Sequence, residues 1–291
     1  MISVLIPTYR WNSFPLVEKI HQQISKAEIP FEIIVIDDAS NDDSVTQNRQ
    51  SINLSNTSFQ ILPQNIGRST IRNLLAEKAR FSWLLFLDAD VMTDNDNFIH
   101  NYIQAIQSTD FNVFAGGMYY KETYTKSSAL RWKFGKFREA VSMEERLNNP
   151  MRYLFSANFL IRKSIFKDIR FNEKLKGYGY EDFLFAKDLS NHGFSILHID
   201  NPIYHLEIDS NKKFVDKTKQ GIKNLAYLFH SKTYNIHEIK LVKTLKKYKG
   251  LIFLITPFSK LFEKLSLQFS LLFFFDLFRI TYLYKLIKKL K

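Results

Sequence analysis

Short apolar runs alternate with longer segments of helical spacing over the first two thirds of the chain. Four runs have the length and apolar content of short strands. They are Ile2–Pro7, Phe31–Ile36, Ser58–Leu62 and Trp83–Leu87. The segments between them predict helices, one ending near Lys26 and one over Ile66–Ala79, and Asp96 is placed to cap a further helix over Phe98–Ile106. This alternation predicts an α/β fold with a mostly parallel sheet covered by helices on both faces.

The pattern continues less regularly and then changes. A strand is expected to end at Gly116-Gly117, where the glycines form either a bulge or a close approach to a ligand. Further strands are predicted at Ser156–Asn158 and Ser195–Ile199. Residues 211–291 predict a helical extension with two apolar stretches, Gly250–Phe258 and Leu265–Tyr284. Pro257, Asp276 and Arg279 interrupt these stretches, so no transmembrane helix is predicted.

Charge separates the two parts of the chain. The 291 residues carry a formal net charge of +12, but residues 211–291 hold 18 basic and 4 acidic groups, so the remainder is slightly acidic. This distribution argues against nucleic acid as a partner. There is no cysteine, which excludes disulfides and thiolate chemistry. The beginning of the chain lacks a signal-like apolar segment, and we expect a cytoplasmic protein, with peripheral contact on the inner face of the cell membrane.

Polar residues gather where predicted strands end, and in parallel sheets ligands bind at that edge. The first strand ends in Pro7-Thr8-Tyr9, the second in Asp37-Asp38 and the fourth in Asp88-Ala89-Asp90. Asp88 and Asp90 can project to the same side if the strand continues, although Asp is also common in turns. Carboxylates without cysteine favour a hard divalent cation such as Mg²⁺ or Mn²⁺.

Six ordered motifs carry a resemblance that covers about residues 1–210. They are Ile-Pro-Thr-Tyr (6–9), Val-Ile-Asp-Asp-Ala-Ser (35–40), Asn-Ile-Gly-Arg-Ser-Thr-Ile-Arg-Asn (65–73), Leu-Asp-Ala-Asp (87–90), Gly-Tyr-Gly-Tyr-Glu-Asp (177–182) and Tyr-His-Leu (204–206). In these the chain resembles the family 2 glycosyltransferases of the GT-A fold. The resemblance implies an inverting transferase that uses a nucleotide-diphosphate sugar, with a nucleotide-sugar half at about 1–117 and an acceptor half at about 118–210.

The resemblance also implies donor-binding roles along the strand ends. Tyr9, with Pro7 and Thr8, is expected beside the donor's base, which we take to be uracil. Asp38 matches the position that reads the base, with Asp37 as a helper, although the pattern does not decide which of the two faces the ligand. Gly67 would form the turn into a helix whose Arg68 and Arg72 share one face toward the phosphates, and Arg72 is favoured. These residues are all read from the sequence.

The motif 88–90 matches the DxD element that holds a divalent ion on the diphosphate. Asp90 is the expected direct metal ligand, while Asp88 contacts the metal's water or the ribose, and Ala89 lies between them. His205 is the expected third ligand, with Glu207 as its competitor. His192, His198 and Asp94 are interpreted as structural or loop residues.

The catalytic and acceptor residues are expected later in the chain. Asp182 is the predicted general base and Glu181 orients the acceptor or the loop; both residues also suit a first helical turn. Trp132, Asn158 and Tyr180 are predicted to contact the acceptor, a glycan or lipid-linked hydroxyl.

Two other functions stay open: a non-catalytic nucleotide-sugar or glycan-binding module, and a nucleotidyltransferase, which lacks support because no glycine-rich, lysine-containing phosphate loop occurs near the start. The basic stretch 250–291 either touches an anionic membrane or packs on protein.

Overall fold

The computed structural model describes residues 1–175, 177–206 and 208–290. Its strands are β1 (Ile2–Thr8), β2 (Phe31–Asp37), β3 (Thr57–Ile61), β4 (Trp83–Leu87), β5 (Val91–Met92), β6 (Val113–Ala115), β7 (Met118–Tyr119), β8 (Asn158–Arg162), β9 (Leu197–His198) and β10 (Ile203–His205). Its α-helices are α1 (Phe14–Ser25), α2 (Ser44–Arg49), α3 (Arg68–Lys78), α4 (Phe98–Ser108), α5 (Ala129–Arg138), α6 (Met143–Asn148), α7 (Lys163–Asp168), α8 (Glu181–Asn191), α9 (Asn211–Ser231), α10 (Lys240–Lys247), α11 (Lys249–Ile255), α12 (Ser259–Phe269) and α13 (Leu272–Lys289). Short 3₁₀ turns occupy Gln50–Asn53, Pro150–Tyr153 and Thr256–Phe258.

The main sheet has the strand order β3-β2-β1-β4-β8-β6-β9. The pairs β3–β2, β2–β1, β1–β4 and β6–β9 are parallel, whereas β8 runs antiparallel to both of its neighbours. The predicted α/β class with a mostly parallel sheet and helices is therefore confirmed. The apolar runs that predicted β1, β2 and β4 match those strands to within a residue at each end, and polar residues follow each run at its carboxyl end.

A smaller sheet has the order β5-β10-β7. In it, Val91 of β5 pairs with His205 of β10, and the Leu206 N–H donates to the Asp90 carbonyl at 2.8 Å. This pairing brings a segment more than a hundred residues further along the chain to the end of β4. The sheet thus positions His205 against Asp90.

Three local predictions are corrected by the structure. Asn97, and not Asp96, stands at the N-terminus of α4, while the Asp96 carboxylate pairs with Lys19 at the surface. The predicted strand at residues 156–158 begins only at Asn158. A Cβ at Gly116 would lie 2.3 Å from the Asn201 carbonyl oxygen, so this glycine serves internal packing and not a ligand's approach.

A cluster of phenylalanines fills the core beside the site. The rings of Phe86 and Phe159 stack with centroids 4.8 Å apart, and those of Phe171 and Phe185 with centroids 4.4 Å apart. Phe166 packs on both Phe86 and Phe185. Offset aromatic pairs of this kind add to the free energy gained from apolar burial. The ends of β4 and β8 therefore rest on a rigid base.

The chain divides into two compact units. The first consists of Met1–Tyr120, Glu139–Lys174 and Glu181–Glu207, and the second of Lys121–Arg138, Leu175–Tyr180 and Ile208–Lys291. The second unit thus contains the extension predicted from residue 211 and two short earlier segments as well. The predicted boundaries at 117 and 210 stay predictions.

The second unit is helical and has its own core. Leu130 of α5, Phe214 and Val215 of α9, and Phe275 and Phe278 of α13 are buried together. The Arg138 guanidinium also pairs with the Asp276 carboxylate at 2.8 Å, which joins α5 to α13. None of the helices among the described residues combines the length and apolar character needed to span a bilayer.

Candidate active site

The ends of β1 and β2 meet at one edge of the main sheet. Thr8 and Asp37 are partners in the parallel register, and the Asp38 N–H donates to the Thr8 carbonyl at 2.9 Å. Tyr9, the next residue along β1, is 45% exposed, and the Arg10 guanidinium lies 5.2 Å from its ring centroid. An exposed aromatic ring at a strand end can stack on a planar base. Pro7 is partly exposed beside it.

Asp38 ties the end of β2 to the start of α3. Its Oδ1 accepts the Ile66 N–H at 2.7 Å and its Oδ2 accepts the Gly67 N–H at 3.0 Å. A carboxylate at a helix N-terminus satisfies N–H groups that the helix leaves unpaired. Gly67 adopts φ +85°, a conformation that glycine takes without strain. Both Asp38 oxygens are thus already engaged, and its predicted contact with the base stays a prediction.

Asp37 behaves differently from its neighbour. Its Oδ1 accepts the Ser40 N–H at 2.6 Å, whereas Oδ2 is buried and has no hydrogen-bond partner among the described residues. Burial raises the pKa of this carboxyl. The side chain lies below the surface of the site, so it supports the loop after β2.

Arg72 pairs with the Asp88 carboxylate from the buried side of the site. Its side chain is only 2% exposed; Nη2 donates to Asp88 Oδ1, and Nη1 donates to the Arg68 carbonyl at 3.0 Å. The guanidinium also lies 5.7 Å from the centroid of the Phe171 ring. Such burial suits a residue that positions Asp88 better than one that touches a ligand directly. The prediction that Arg72 contacts the donor stays untested.

Arg68 connects the strand ends with α8. Its Nε donates to Glu181 Oε1 at 3.0 Å, and Nη2 lies 3.4 Å from Asp88 Oδ2. The Arg68 side chain is 40% exposed while that of Glu181 is buried, so the guanidinium faces solvent beside two carboxylates. Among the two arginines, Arg68 is the better placed to meet phosphate oxygens. The pairing also brings the start of α8 to the edge of the main sheet.

Asp182 lies in the first turn of α8, beside Glu181. Its Oδ1 and the Ser156 hydroxyl are buried and lack hydrogen bonds among the described residues. Burial, and then the charge of Glu181, raise the pKa of Asp182 to about 6 against the opposing charges of Arg72 and Arg68. A carboxyl with a raised pKa and an unused oxygen is suited to accept a proton.

Asp90 and His205 lie next to each other in the site. His205 Nδ1 lies 3.7 Å from Asp90 Oδ2, and the Asp90 side chain is 42% exposed. Burial opposes ionisation of Asp90, but the His205 ring and, after it, Arg68 outweigh burial and hold the pKa well below its ordinary value. Asp90 is therefore an ionised, solvent-facing carboxylate. The competing ligand Glu207 lies outside the described residues.

The two groups fit a divalent cation that keeps part of its water shell. Carboxylate and imidazole together can bind Mn²⁺, and Mg²⁺ or Mn²⁺ in such sites is completed by water and substrate phosphate. Asp88 is less suited, because both of its oxygens face arginines. Within the described ranges no cluster of three or more acidic or histidine side chains forms a metal site. The assignment of Asp90 and His205 as metal ligands stays a prediction.

The predicted acceptor residues are divided between the units. Asn158 is buried in the first unit, where its amide bonds the Gly117 and Asn201 carbonyls and accepts from the Tyr102 hydroxyl. Trp132 lies in the second unit; its Nε1 donates to the Lys121 carbonyl at 2.7 Å and its ring stacks on Tyr124. The Asn158 contacts favour a structural role, and the acceptor assignments stay predictions.

Tyr180 ends a glycine-containing loop that is attached to α9. The Asn224 side chain donates to the Tyr178 carbonyl at 3.3 Å and to the Gly179 carbonyl at 3.1 Å. Tyr180 itself adopts φ +73°, which is uncommon for a residue with a side chain. Its acceptor role also stays a prediction.

Two residues near the site escaped the sequence analysis. Ser156 was assigned only to a strand, and its hydroxyl is buried near Asp182. Tyr120 packs its ring 5.9 Å from that of His205, while its hydroxyl donates to Glu139. The sequence contained a signal for Tyr120, since two tyrosines follow Met118 shortly after the Gly116-Gly117 pair, but nothing local marked Ser156.

Comparison with known proteins identifies the family. A family model described as glycosyl transferase family 2 matches residues 3–170. The chain is 27% identical over 195 residues to the poly(ribitol-phosphate) beta-N-acetylglucosaminyltransferase TarS of Staphylococcus aureus (strain Mu50 / ATCC 700699). That match covers 63% of this chain and 31% of the relative, so the chain spans about a third of the length of the curated relatives it matches.

Solved structures show the same fold. S. aureus TarS 1–349 in complex with UDP-GlcNAc has a TM-score of 0.52 and 19% identity, covering 100% of this chain and 92% of the other. The mannosyltransferase PcManGT from Pyrobaculum calidifontis, in complex with GDP-Man and Mn²⁺, has a TM-score of 0.60 and 12% identity, covering 99% and 86%. The predicted GT-A type fold is thereby confirmed. Because the family model covers more than half of the sequence, the chain belongs to glycosyl transferase family 2.

Proposed function

We propose that the protein transfers a sugar from a UDP-linked donor to a hydroxyl group of a glycan or lipid-linked acceptor, with inversion at the anomeric carbon. The observation that carries this proposal is the position of Asp182, a buried carboxyl whose Oδ1 lacks a hydrogen-bond partner among the described residues, in a helix joined by Glu181 to Arg68 at the strand ends; burial raises its pKa to about 6. UDP is supported by the TarS relative, whose structure was solved with UDP-GlcNAc.

In the proposed reaction Asp182 accepts the proton of the acceptor hydroxyl. The hydroxyl oxygen then attacks the anomeric carbon from the face opposite the UDP group, the carbon–oxygen bond to UDP breaks, and UDP leaves with that bonding pair. One displacement inverts the configuration without a covalent enzyme intermediate. Glu181 keeps Arg68 in place beside Asp88, and Arg72 fixes Asp88 from the buried side.

Stabilisation of the leaving diphosphate is the second requirement. The exposed Arg68 guanidinium would bind phosphate oxygens, with Tyr9 stacked on the uracil. Asp90 and His205 would hold a Mn²⁺ or Mg²⁺ ion, which supplies positive charge where the leaving oxygen becomes negative. The ionised state of Asp90 suits this role, because a carboxylate must be deprotonated to bind a cation.

Donor binding and hydrolysis test the proposal directly. The protein is incubated with UDP-GlcNAc, UDP-Glc and GDP-Man, each with Mn²⁺ and with a chelator, and both binding and slow release of the nucleotide are measured. We expect binding of a UDP-sugar that requires the metal, and Asp90→Asn should abolish the metal-dependent part. Ser55→Ala, an exposed change in the first unit, serves as the matched control. Binding of none of the donors would contradict the proposal.

The competing function is a nucleotide-sugar-binding module without catalysis. Such a module would need the same donor site, but it would have no use for Asp182, the buried carboxyl with a raised pKa in α8. The two are separated by turnover: a module binds the UDP-sugar and never releases UDP. A peripheral position at a membrane would suit a lipid-linked acceptor.

A further inference from the structure

Near the end of the second unit, large apolar side chains are exposed while serine hydroxyls are buried. Leu254 is 66% exposed and Phe258 is 54% exposed, whereas Ser259 is 3% and Ser266 is 0% exposed. The buried Ser266 hydroxyl donates to the Glu263 carbonyl of its own helix at 2.7 Å. Helices of a water-soluble protein ordinarily bury the apolar face and expose the hydroxyls. The arrangement here indicates that the outward apolar face is covered by something else.

The exposed apolar residues form one continuous stripe. The helix α11, the 3₁₀ turn at Thr256–Phe258 and the helix α12 follow one another without a gap. Six apolar residues occur along them at intervals of three or four, and five of these are classed as exposed with Leu265 intermediate. Within α12, at 3.6 residues per turn, Leu261, Leu265 and Phe269 fall within an arc of about 80°. We call the six residues the apolar stripe: Leu251, Leu254, Phe258, Leu261, Leu265 and Phe269.

Large apolar residues outside the stripe are exposed as well. Phe253 is 56% exposed, and Leu271 and Phe273, at the start of α13, are 45% and 66% exposed. Monomeric soluble proteins rarely expose so many large apolar side chains within one short segment. The surface is therefore built for contact.

Basic side chains are concentrated in the same stretch of the chain as these exposed apolar residues. Residues 240–290 contain eleven basic side chains and two acidic ones. Both acidic groups are engaged within the unit, Glu263 with Lys219 and Asp276 with Arg138 and Arg279. The lysines, in contrast, are exposed: Lys240, Lys243, Lys246, Lys247, Lys249, Lys260, Lys264, Lys285, Lys288 and Lys289.

The charges lie close to the apolar residues as well as near them in sequence. The Lys288 amine is 5.1 Å from the centroid of the Phe253 ring. Lys260 and Lys264 line an open groove on α12 together with Leu267, Gln268 and Glu263, whose carboxylate pairs with Lys219. Apolar side chains next to lysine amines match the two layers of a membrane surface, since the rings enter the acyl boundary while the amines reach the phosphates.

We propose that the apolar stripe and its lysines dock on the surface of an anionic lipid bilayer, with α11 and α12 lying in the plane of the interface. A second copy of the chain fits this surface less well. It would bring another eleven basic side chains against the first set, and like charges repel. An anionic lipid surface provides charges of the opposite sign. The inference does not depend on the proposed reaction, since docking needs no sugar donor.

Vesicle flotation of the full chain tests the docking. Vesicles of phosphatidylcholine mixed with phosphatidylglycerol are compared with vesicles of phosphatidylcholine alone, at low and high salt. We expect flotation only with the anionic vesicles, and less of it at high salt because salt screens the lysines. The double variant Leu254→Ser/Leu261→Ser should reduce the bound fraction about tenfold or more. The matched control is Ile52→Ser, an equally exposed apolar residue of the first unit (54%), which should float like the wild type.

A second variant protects the test against misfolding. Lys260→Glu/Lys264→Glu leaves the stripe intact and should weaken binding to anionic vesicles, while circular dichroism and UDP binding stay those of the wild type. Equal flotation with neutral vesicles, or unchanged flotation of Leu254→Ser/Leu261→Ser, would overturn the proposal. The proposal would also be overturned if the wild type bound neither kind of vesicle and formed a dimer, while Leu254→Ser/Leu261→Ser stayed monomeric. That result would favour a second copy of the chain as the partner of the stripe. Loss of donor binding, in contrast, would leave the docking proposal intact and contradict only the proposed reaction.

Discussion

Replacing Asp182 by Asn tests the proposed base through two opposite effects on the same protein. The raised pKa of about 6 means that the carboxyl is ionised at neutral pH and about one tenth ionised at pH 5. A base works only when ionised, so the wild-type transfer rate should fall about tenfold between its plateau and pH 5. The variant should transfer sugar about 10²- to 10⁴-fold more slowly than the wild type at its plateau, without the acidic limb, and still bind UDP.

The same substitution should stabilise the fold. Asp182 has a pKa of about 6 in the folded protein against an ordinary value of 3.8, so folding disfavours its ionised form. The resulting cost, about 3 kcal/mol, is absent below the ordinary pKa, grows between the two values and is fully present above the folded pKa. Asn carries no charge, and Asp182→Asn should therefore melt at a higher temperature than the wild type at about pH 7.5. This difference should shrink as the pH falls toward 3.8.

Glu181→Gln provides the matched control. After burial, the charge of Glu181 is the largest cause of the raised pKa at Asp182. Its removal should lower that pKa and shift the acidic limb of the rate profile to lower pH, without removing the base. The assay is release of UDP in the presence of acceptor, measured from pH 5 to 8, together with thermal unfolding. A rate of Asp182→Asn equal to that of the wild type would refute the assignment of the base, and a wild-type profile without an acidic limb would refute the raised pKa.

Two substitutions test the architecture around the site. Arg72→Met should lower the free energy of unfolding by about 3 kcal/mol in a urea titration, because it removes the buried partner of the Asp88 carboxylate; a loss below about 1 kcal/mol would contradict the role given to Arg72. Gly116→Ala should destabilise by about 1–3 kcal/mol, since its Cβ would lie 2.3 Å from the Asn201 carbonyl oxygen. Gly250→Ala in α11, where a Cβ meets nothing within 4 Å, is the control and should stabilise slightly; equal effects of the two would show that packing does not explain Gly116.

Local patterns predicted the strands of the donor side well. The runs that became β1, β2 and β4 are mostly apolar, with Ser3 and Glu32 as exceptions, and polar residues follow each of them, so their carboxyl ends were visible in the sequence. The same reasoning failed at α4, where Asn95, Asp96 and Asn97 are consecutive and each can cap a helix. The helix begins at Phe98 as predicted, but the residue at its N-cap is Asn97, one position after the predicted Asp96, and patterns do not resolve a single residue.

The internal contacts of the site depended on pairings that a local pattern does not contain. Arg68 and Glu181 are 113 residues apart in sequence, and Asp38 bonds to N–H groups 28 and 29 residues away. The motifs placed these residues at one edge of the sheet, but which carboxylate each arginine would hold depended on helix orientation and side-chain length. For the same reason the burial of Arg72 beneath Asp88 was not foreseen.

The ion pair between Arg68 and Glu181 joins the region matched by the family model to a segment that lies beyond it. The family match ends at residue 170, yet Glu181, Asp182 and His205 all follow it. A fragment trimmed to the matched region would keep Asp88, Arg68 and Arg72. It would lack Asp182, the proposed base, and His205, one of the two proposed metal ligands. On the proposed mechanism, the shortest active fragment would extend through β10, which pairs with β5 and ends about thirty-five residues beyond the family match.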